Sequence, residues 1–266
     1  MDEREVYPNA PVVLVALEVR HPSADPLTPT ESRTIKKILG DLLPIERSGQ
    51  LTNVQVVAGA TAPADVSIET FPRYVNRETT LAVSVRKEAM VIEASRYPGW
   101  EEFRTLSMRA LEARMQVAPV VGVERVGLRF INEIRVPNAG TVDWSDWLHP
   151  SLLGPSSARP IDLPVNQWQG VVIYGAQPSN MLVLRYGLRD GYALDPSSLL
   201  RRVRSDDDGL FFLMDLDSFW TPAEEVPEYD SDKLLSICNA LHTPVRTLFE
   251  GMITDRLRDE VLRRDD

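Results

Sequence analysis

Apolar and polar positions along this chain follow two rhythms, a period of two over short segments and a period near 3.6 over longer ones. Residues 12–21 open apolar and β-branched, then alternate through Leu17, Glu18, Val19 and Arg20, which predicts a strand. Thr28-Pro29-Thr30-Glu31 predicts a helix start. Thr28 is the N-cap, proline follows in the first turn, and Glu31 reaches back as a capping box. The stripe Ile35, Ile38, Leu39 and Leu42 continues this helix, and Pro44 marks its end. Residues 51–58 read as a strand, and residues 81–85 and 90–94 as a hairpin turning near 86–89. A second helix is predicted over 101–118 from Phe103, Leu106, Ala110, Ala113 and Val117, with Pro119 stopping it, and then a strand over 123–134.

Residues 137–164 lose both rhythms. Pro137, Pro150, Pro155, Pro160 and Pro164 punctuate a connection with one helical turn at 144–148. Strands resume at 168–176, 181–189 and 210–219. A final helical segment covers 231–263, with Leu234, Cys238, Leu241, Val245, Leu248, Met252 and Val261 close to one face and a kink at Pro244. Strands cluster rather than alternating strictly with helices. The expectation is therefore an α+β fold of mainly antiparallel sheets in two β/α halves, residues 1–136 and 165–266, each with a long helix packed on its sheet. The two halves, joined by 137–164, are expected to form one integrated unit.

Composition narrows the function classes. With 266 residues, 43% hydrophobic and 26% charged, the chain can bury a core and is not disordered throughout. Acidic residues outnumber basic ones 39 to 29, a net charge of −10, so a nucleic-acid partner is not favoured. The single cysteine, Cys238, excludes an internal disulfide and reads as a buried, inert thiol on the apolar stripe. The start Met1-Asp2-Glu3-Arg4-Glu5 has the wrong charge for a secretion signal, and the apolar run 12–17 is far too short to span a bilayer. A cytoplasmic protein with no membrane partner is expected.

The strongest candidate for chemistry is Met214-Asp215-Leu216-Asp217, because alternation on a strand points Asp215 and Asp217 to one face. Arginines recur in strand interiors in the same way: Arg125 with Arg129, and Arg185 with Arg189, while Glu18 shares a face with Arg20 and Ser84 with Arg86. Arg129, Arg185, Arg189, Asp215 and Asp217 are thus the candidates to line a charged binding groove. The same carboxylates, with oxygen ligands, fit a divalent cation; the bland reading pairs them with neighbouring arginines. His21, His149 and His242 lack zinc-binding spacing, and His242 reads as a helix-surface or cap residue. No phosphate loop, dinucleotide fingerprint or hydrolase elbow occurs, and no cofactor is expected. The mixed-charge run 201–208 reads as a solvated loop.

Four segments carry a resemblance: Tyr7-Pro8-Asn9-Ala10-Pro11-Val12-Val13, Arg125-Val126-Gly127-Leu128-Arg129-Phe130-Ile131-Asn132-Glu133-Ile134, Met214 to Phe219, and Leu241-His242 continuing to 249–255. Together they resemble an uncharacterised, sporadically distributed bacterial protein family, most specifically in Arg-x-Gly-Leu-Arg-Phe-Ile-Asn. The resemblance implies an accessory protein that binds a macromolecular partner encoded nearby, as one member of a toxin–antitoxin or phage-defence pair. It supplies no catalytic residues. The alternative is a metal-dependent nuclease or nucleotide-modifying toxin in which Asp215 and Asp217 hold the cation and Arg129, Arg185 or Arg189 hold the substrate phosphate. A third reading makes those residues a structural ion-pair network. Arg129 and Asn132 fall on opposite faces of their strand, and Asn132 is expected to close a turn.

Overall fold

The structure is a computed structural model and describes residues 5–55, 65–140, 143–154, 167–176, 178–195, 200–203 and 208–264. Expectations for residues 1–4, 56–58, 141–142, 155–164 and 204–207 lie outside the described residues. Strands β1 (Val12–Arg20), β2 (Ile45–Gln55), β3 (Asp65–Val75), β4 (Leu81–Val85), β5 (Ala89–Ala94), β6 (Arg125–Ile134), β7 (Trp168–Gly175), β8 (Ser179–Arg189) and β9 (Phe211–Thr221) form one nine-stranded sheet in the order β2-β3-β4-β5-β1-β6-β9-β8-β7. Every pairing is antiparallel.

This overturns the expectation of two β/α halves. Strands from both sides of the 137–164 connection share the sheet, because β6 pairs with β9 continuously from Val126 opposite Trp220 to Ile134 opposite Phe212. Periodicity records which way a side chain points, not which strand lies beside it. The helices do not divide between halves either. α1 (Pro29–Leu39) packs on α2 (Trp100–Val117), α2 lies against β5, and α3 (Ser231–Met252) crosses β6, β9 and β8. β3 escaped the sequence reading: Pro72 interrupts its pattern, but it pairs with β2 alone there, since contact with β4 begins at Arg73.

Local signals account for the elements that were legible. The capping box at Thr28 forms, with the Thr28 N–H donating to Glu31 Oε2 at 2.7 Å and the Glu31 N–H to Thr28 Oγ1 at 3.3 Å. α3 runs through Pro244 without interruption but stops at Met252, well before residue 263. There Ile253 turns extended and bridges Leu148, the His149 N–H donates to the Met252 carbonyl at 2.9 Å, and the Thr254 N–H to the Trp147 carbonyl at 3.1 Å. The chain finishes in a short helical turn, Asp255–Leu257, and a π turn, Arg258–Leu262.

Strand alternation sorts the sheet into two faces. Ala94, Val15, Phe130, Leu216, Leu184 and Val172 stand in one register row facing the helices. They join Phe103, Leu241 and Val245 in the main core. Burying a side chain such as Leu216 or Leu128 contributes about 1.5–3 kcal/mol. The neighbouring row on the opposite face reads Glu93, Ala16, Arg129, Asp217, Val183 and Ile173. The β8–β9 connection folds over part of that face, where Ala193 and Leu194 pack against Val13, Ile131, Phe211 and Leu213, and Leu200 packs against Val75 and Ala82.

One buried group works against the core. Arg114 of α2 is 4% exposed, and its Nε and Nη1 meet no acceptor. Burial holds its guanidinium below the usual range. Arg114→Met, which keeps the volume and removes the unsatisfied donors, is expected to raise stability by about 1 kcal/mol, a melting-temperature gain of roughly 2–4 °C by calorimetry.

Candidate functional site

The five residues singled out from the sequence all lie on the face away from the helices, and four of them come together. Arg129 on β6 stands opposite Asp217 in register but donates diagonally to Asp215 through both arms of its guanidinium, Nε to Oδ1 at 2.8 Å and Nη2 to Oδ2 at 2.7 Å. Arg185 on β8 stands opposite Asp215 and places Nη1 3.7 Å from Asp215 and 3.9 Å from Asp217. Arg125 joins from the other side, 3.0 Å from Glu18 and 3.9 Å from Asp217, with its guanidinium over the Phe219 ring. Gly127 between the two β6 arginines makes this possible, because the Arg125 side chain lies across the space a Cβ would take. Arg189 stays apart: it stands opposite Phe211, and its Nη2 donates to Gln169 at 3.3 Å.

The chemistry of this cluster follows from how its charges are spent. Asp215 is 3% exposed with both oxygens on Arg129, so a cation would have to displace a bidentate guanidinium to use it. The bond to Asp215 raises the pKa of Arg129. Asp217 has no such bond; burial pushes its carboxyl up, Asp215 adds to this, and Arg125, Arg129 and Arg185 pull it back down. Glu18, Asp215 and Asp217 face Arg20, Arg125, Arg129 and Arg185 in one ion-pair lattice. That arrangement corresponds to the structural ion-pair reading. Among the described residues no group of three or more His, Cys, Asp or Glu could hold a metal ion.

Sequence reasoning missed a second buried carboxylate on this face. Glu133 is fully buried and accepts from Arg135 Nε at 2.8 Å, Arg202 Nη1 at 3.0 Å and the Ala193 N–H at 3.0 Å. Burial pushes its carboxyl up, but Arg202, the Ala193 amide and Arg135 outweigh it and hold the pKa below the usual carboxylate value. It pins the β8–β9 connection to the sheet. Nothing in the spacing of Glu133 and Arg202 signals this contact. Further along, Arg73 and Arg86 line a cavity of about 250 Å³ beneath that connection. Arg73 was invisible because β3 was.

The helix face holds the other candidate. A cavity of about 120 Å³ is lined by Tyr7, Trp100, Phe130, Asn132, His242 and Phe249 among others. All four segments that carry the family resemblance reach it: Tyr7 from the first, Phe130 and Asn132 from the second, Leu216 from the third, and His242 and Phe249 from the fourth. His242 lies inside α3 rather than at a cap and is half-buried, its ring stacked on Trp100 at 4.2 Å with the planes 1° apart. Asn132 closes no turn. It sits mid-strand and donates to the Met214 carbonyl of β9 at 2.9 Å. The Tyr7 hydroxyl donates to Glu250 at 2.9 Å, and burial followed by that bond pushes its pKa up to about 12. Cys238 is buried, and desolvation pushes its thiol up to about 12, which leaves no thiolate for nucleophilic work.

No family model and no curated protein matches this chain. No described helix is long and apolar enough to cross a membrane.

The two aspartates are expected to respond oppositely to neutralisation. Asp215→Asn strips Arg129 of its bidentate partner and lowers stability by about 1–3 kcal/mol in thermal or urea melts. Asp217→Asn at neutral pH leaves stability unchanged or higher. A carboxyl whose pKa is raised by folding favours its neutral form, so the wild type gains stability as pH falls through the folded-state value of Asp217. The Asn variant lacks that gain.

Proposed function

We propose that this protein works by binding a macromolecular partner through the outer edge of β7, as one member of an accessory pair of the toxin–antitoxin or phage-defence kind. The observation that carries the reading is the chemistry of that edge. Trp168–Gly175 contains no charged residue and no proline, and Val171, Ile173 and Tyr174 are 61%, 60% and 41% exposed. No strand among the described residues pairs with its outer side. An apolar, unguarded edge strand invites pairing with another chain, and soluble proteins ordinarily block such edges with charge or proline.

The flanks suit an extended segment. On the helix side, Tyr174, Met181, Leu182, Leu248 and Met252 line an apolar groove of about 470 Å³ between the β7–β8 end and α3. On the other side, Val171 stands beside Arg185 and Ile173 beside Val183. A partner strand added to β7 gains main-chain hydrogen bonds, and its alternate side chains face this groove. The metal-dependent nuclease is the weaker reading, because Asp215 already holds Arg129. The partner is expected to be a protein encoded nearby.

Co-expression of the tagged chain with the product of the adjacent gene tests this. A stoichiometric complex is expected by size-exclusion chromatography. Ile173→Lys, which places a charge on the edge without touching the core, is expected to weaken it at least about tenfold. A complex indifferent to Ile173→Lys, or self-association of this chain alone, overturns the proposal.

A further inference from the structure

On the helix face, the cavity of about 120 Å³ is enclosed by side chains from the N-terminal segment, the approach to α2, β6, β9 and α3. Its walls are aromatic. Trp100 and His242 stack face to face at 4.2 Å, and the Tyr97 ring meets Phe130 edge-on at 5.4 Å. Polar groups interrupt those walls. Asn132 of β6 is 2% exposed; its Nδ2 is spent on the Met214 carbonyl at 2.9 Å, and among the described residues no group donates to its Oδ1. The Tyr97 hydroxyl likewise has no hydrogen-bond partner among the described residues, and burial raises its pKa, so it stays an O–H donor. Both oxygens keep some accessible surface, unlike the sealed Nε atoms of Arg73 and Arg86. Arg246 of α3 is half-buried and forms no ion pair among the described residues; its Nη2 reaches the Glu5 carbonyl at 3.4 Å. The carboxylates of Glu5 and Glu250 also line the cavity and are already engaged. Glu5 accepts from Arg263 at 2.6 and 2.9 Å, and Glu250 from the Tyr7 hydroxyl at 2.9 Å and Arg258 at 3.3 Å.

A largely buried amide oxygen with no donor is costly, and a ligand that brings the donor recovers that cost. We infer that the cavity is a binding site for a neutral, single-ring heterocyclic amide, whose ring N–H donates to Asn132 Oδ1 and whose carbonyl oxygen accepts from Tyr97 or Arg246. Size limits the ligand to one ring, since a cavity of roughly 150 Å³ takes benzene. Aromatic walls favour a flat ring, through offset stacking and edge-to-face contact. Charge decides against an anion. The Glu5 and Glu250 carboxylates beside Arg246 leave no surplus of positive charge in the lining, so a neutral carbonyl suits Arg246 better than a carboxylate. This site does not depend on the β7 edge and stands whether or not that edge binds a protein.

Saturation-transfer NMR and isothermal titration provide the test, with 2-pyridone and uracil as probes. Saturable binding of at least one is expected. N-methyl-2-pyridone lacks the N–H for Asn132, and 2-piperidone keeps the N–H and carbonyl on a ring that is not aromatic. Each is expected to bind about three- to tenfold more weakly than 2-pyridone. These comparisons use the unmodified protein, so they hold whatever the stability of any variant. Tyr97→Phe combined with Arg246→Met removes both donors to the carbonyl while keeping the aromatic wall and every ion pair among the described residues. It is expected to fold as the wild type by circular dichroism and to bind at least about tenfold more weakly. Arg189→Gln, on the opposite face, is expected to leave binding unchanged. No binding of either probe, equal affinity for N-methyl-2-pyridone or 2-piperidone, benzoate binding as tightly as 2-pyridone, or indifference to the double substitution overturns the proposal.

Discussion

The antiparallel register of β6 between β1 and β9 is the constraint on which everything else rests. β6 is the seam where the first and last thirds of the chain meet, with Phe130 opposite both Val15 and Leu216, and Arg129 opposite both Ala16 and Asp217. Because side chains alternate with a period of two, a slip of one residue would carry Phe130 into the ion-pair lattice and Arg129 into the core. The register is thus held from both faces at once. Apolar burial under α3 rewards one alignment, and the Arg129–Asp215 bond requires the same one.

That seam gives the two faces different work. The helix face is nearly all core, with a small aromatic cavity where the N-terminal segment, β6, β9 and α3 meet. The opposite face carries charge across its middle, and most of that charge is matched locally. Such lattices specify an arrangement more than they add net stability, since desolvation offsets much of the Coulomb attraction. What remains unmatched is informative. Arg73 and Arg86 at one end keep buried donors without acceptors. At the other end β7 has an apolar edge that no strand among the described residues pairs with.

Much of the local structure was legible before any tertiary information. The capping box at Thr28, the apolar stripes of the helices and the alternation in β1, β6 and β9 each follow from side chains and backbone within a few residues. The shared face of Asp215 and Asp217 was equally readable. Their fates were not, because Asp215 takes Arg129 by a diagonal contact across the β6–β9 pair and leaves Asp217 with guanidinium nitrogens only at 3.9 Å. Arg189 shows the same limit from the other side. It shares a face with Arg185 yet stands opposite Phe211 rather than an aspartate.

By itself, then, the sequence determined most of the local elements (though not β3), the sorting of residues between an apolar and a charged face, and the burial of Cys238. Those depend on interactions among near neighbours. Only the tertiary structure decided that one sheet runs through both sides of the proline-rich connection, that α3 stops at Met252, and that Glu133 closes the β8–β9 connection. Each of these rests on partners more than fifty residues apart, as in Glu133 with Arg202 or Met252 with His149. No local pattern encodes such partners; packing chooses them, because only the assembled sheet brings the groups within bonding distance.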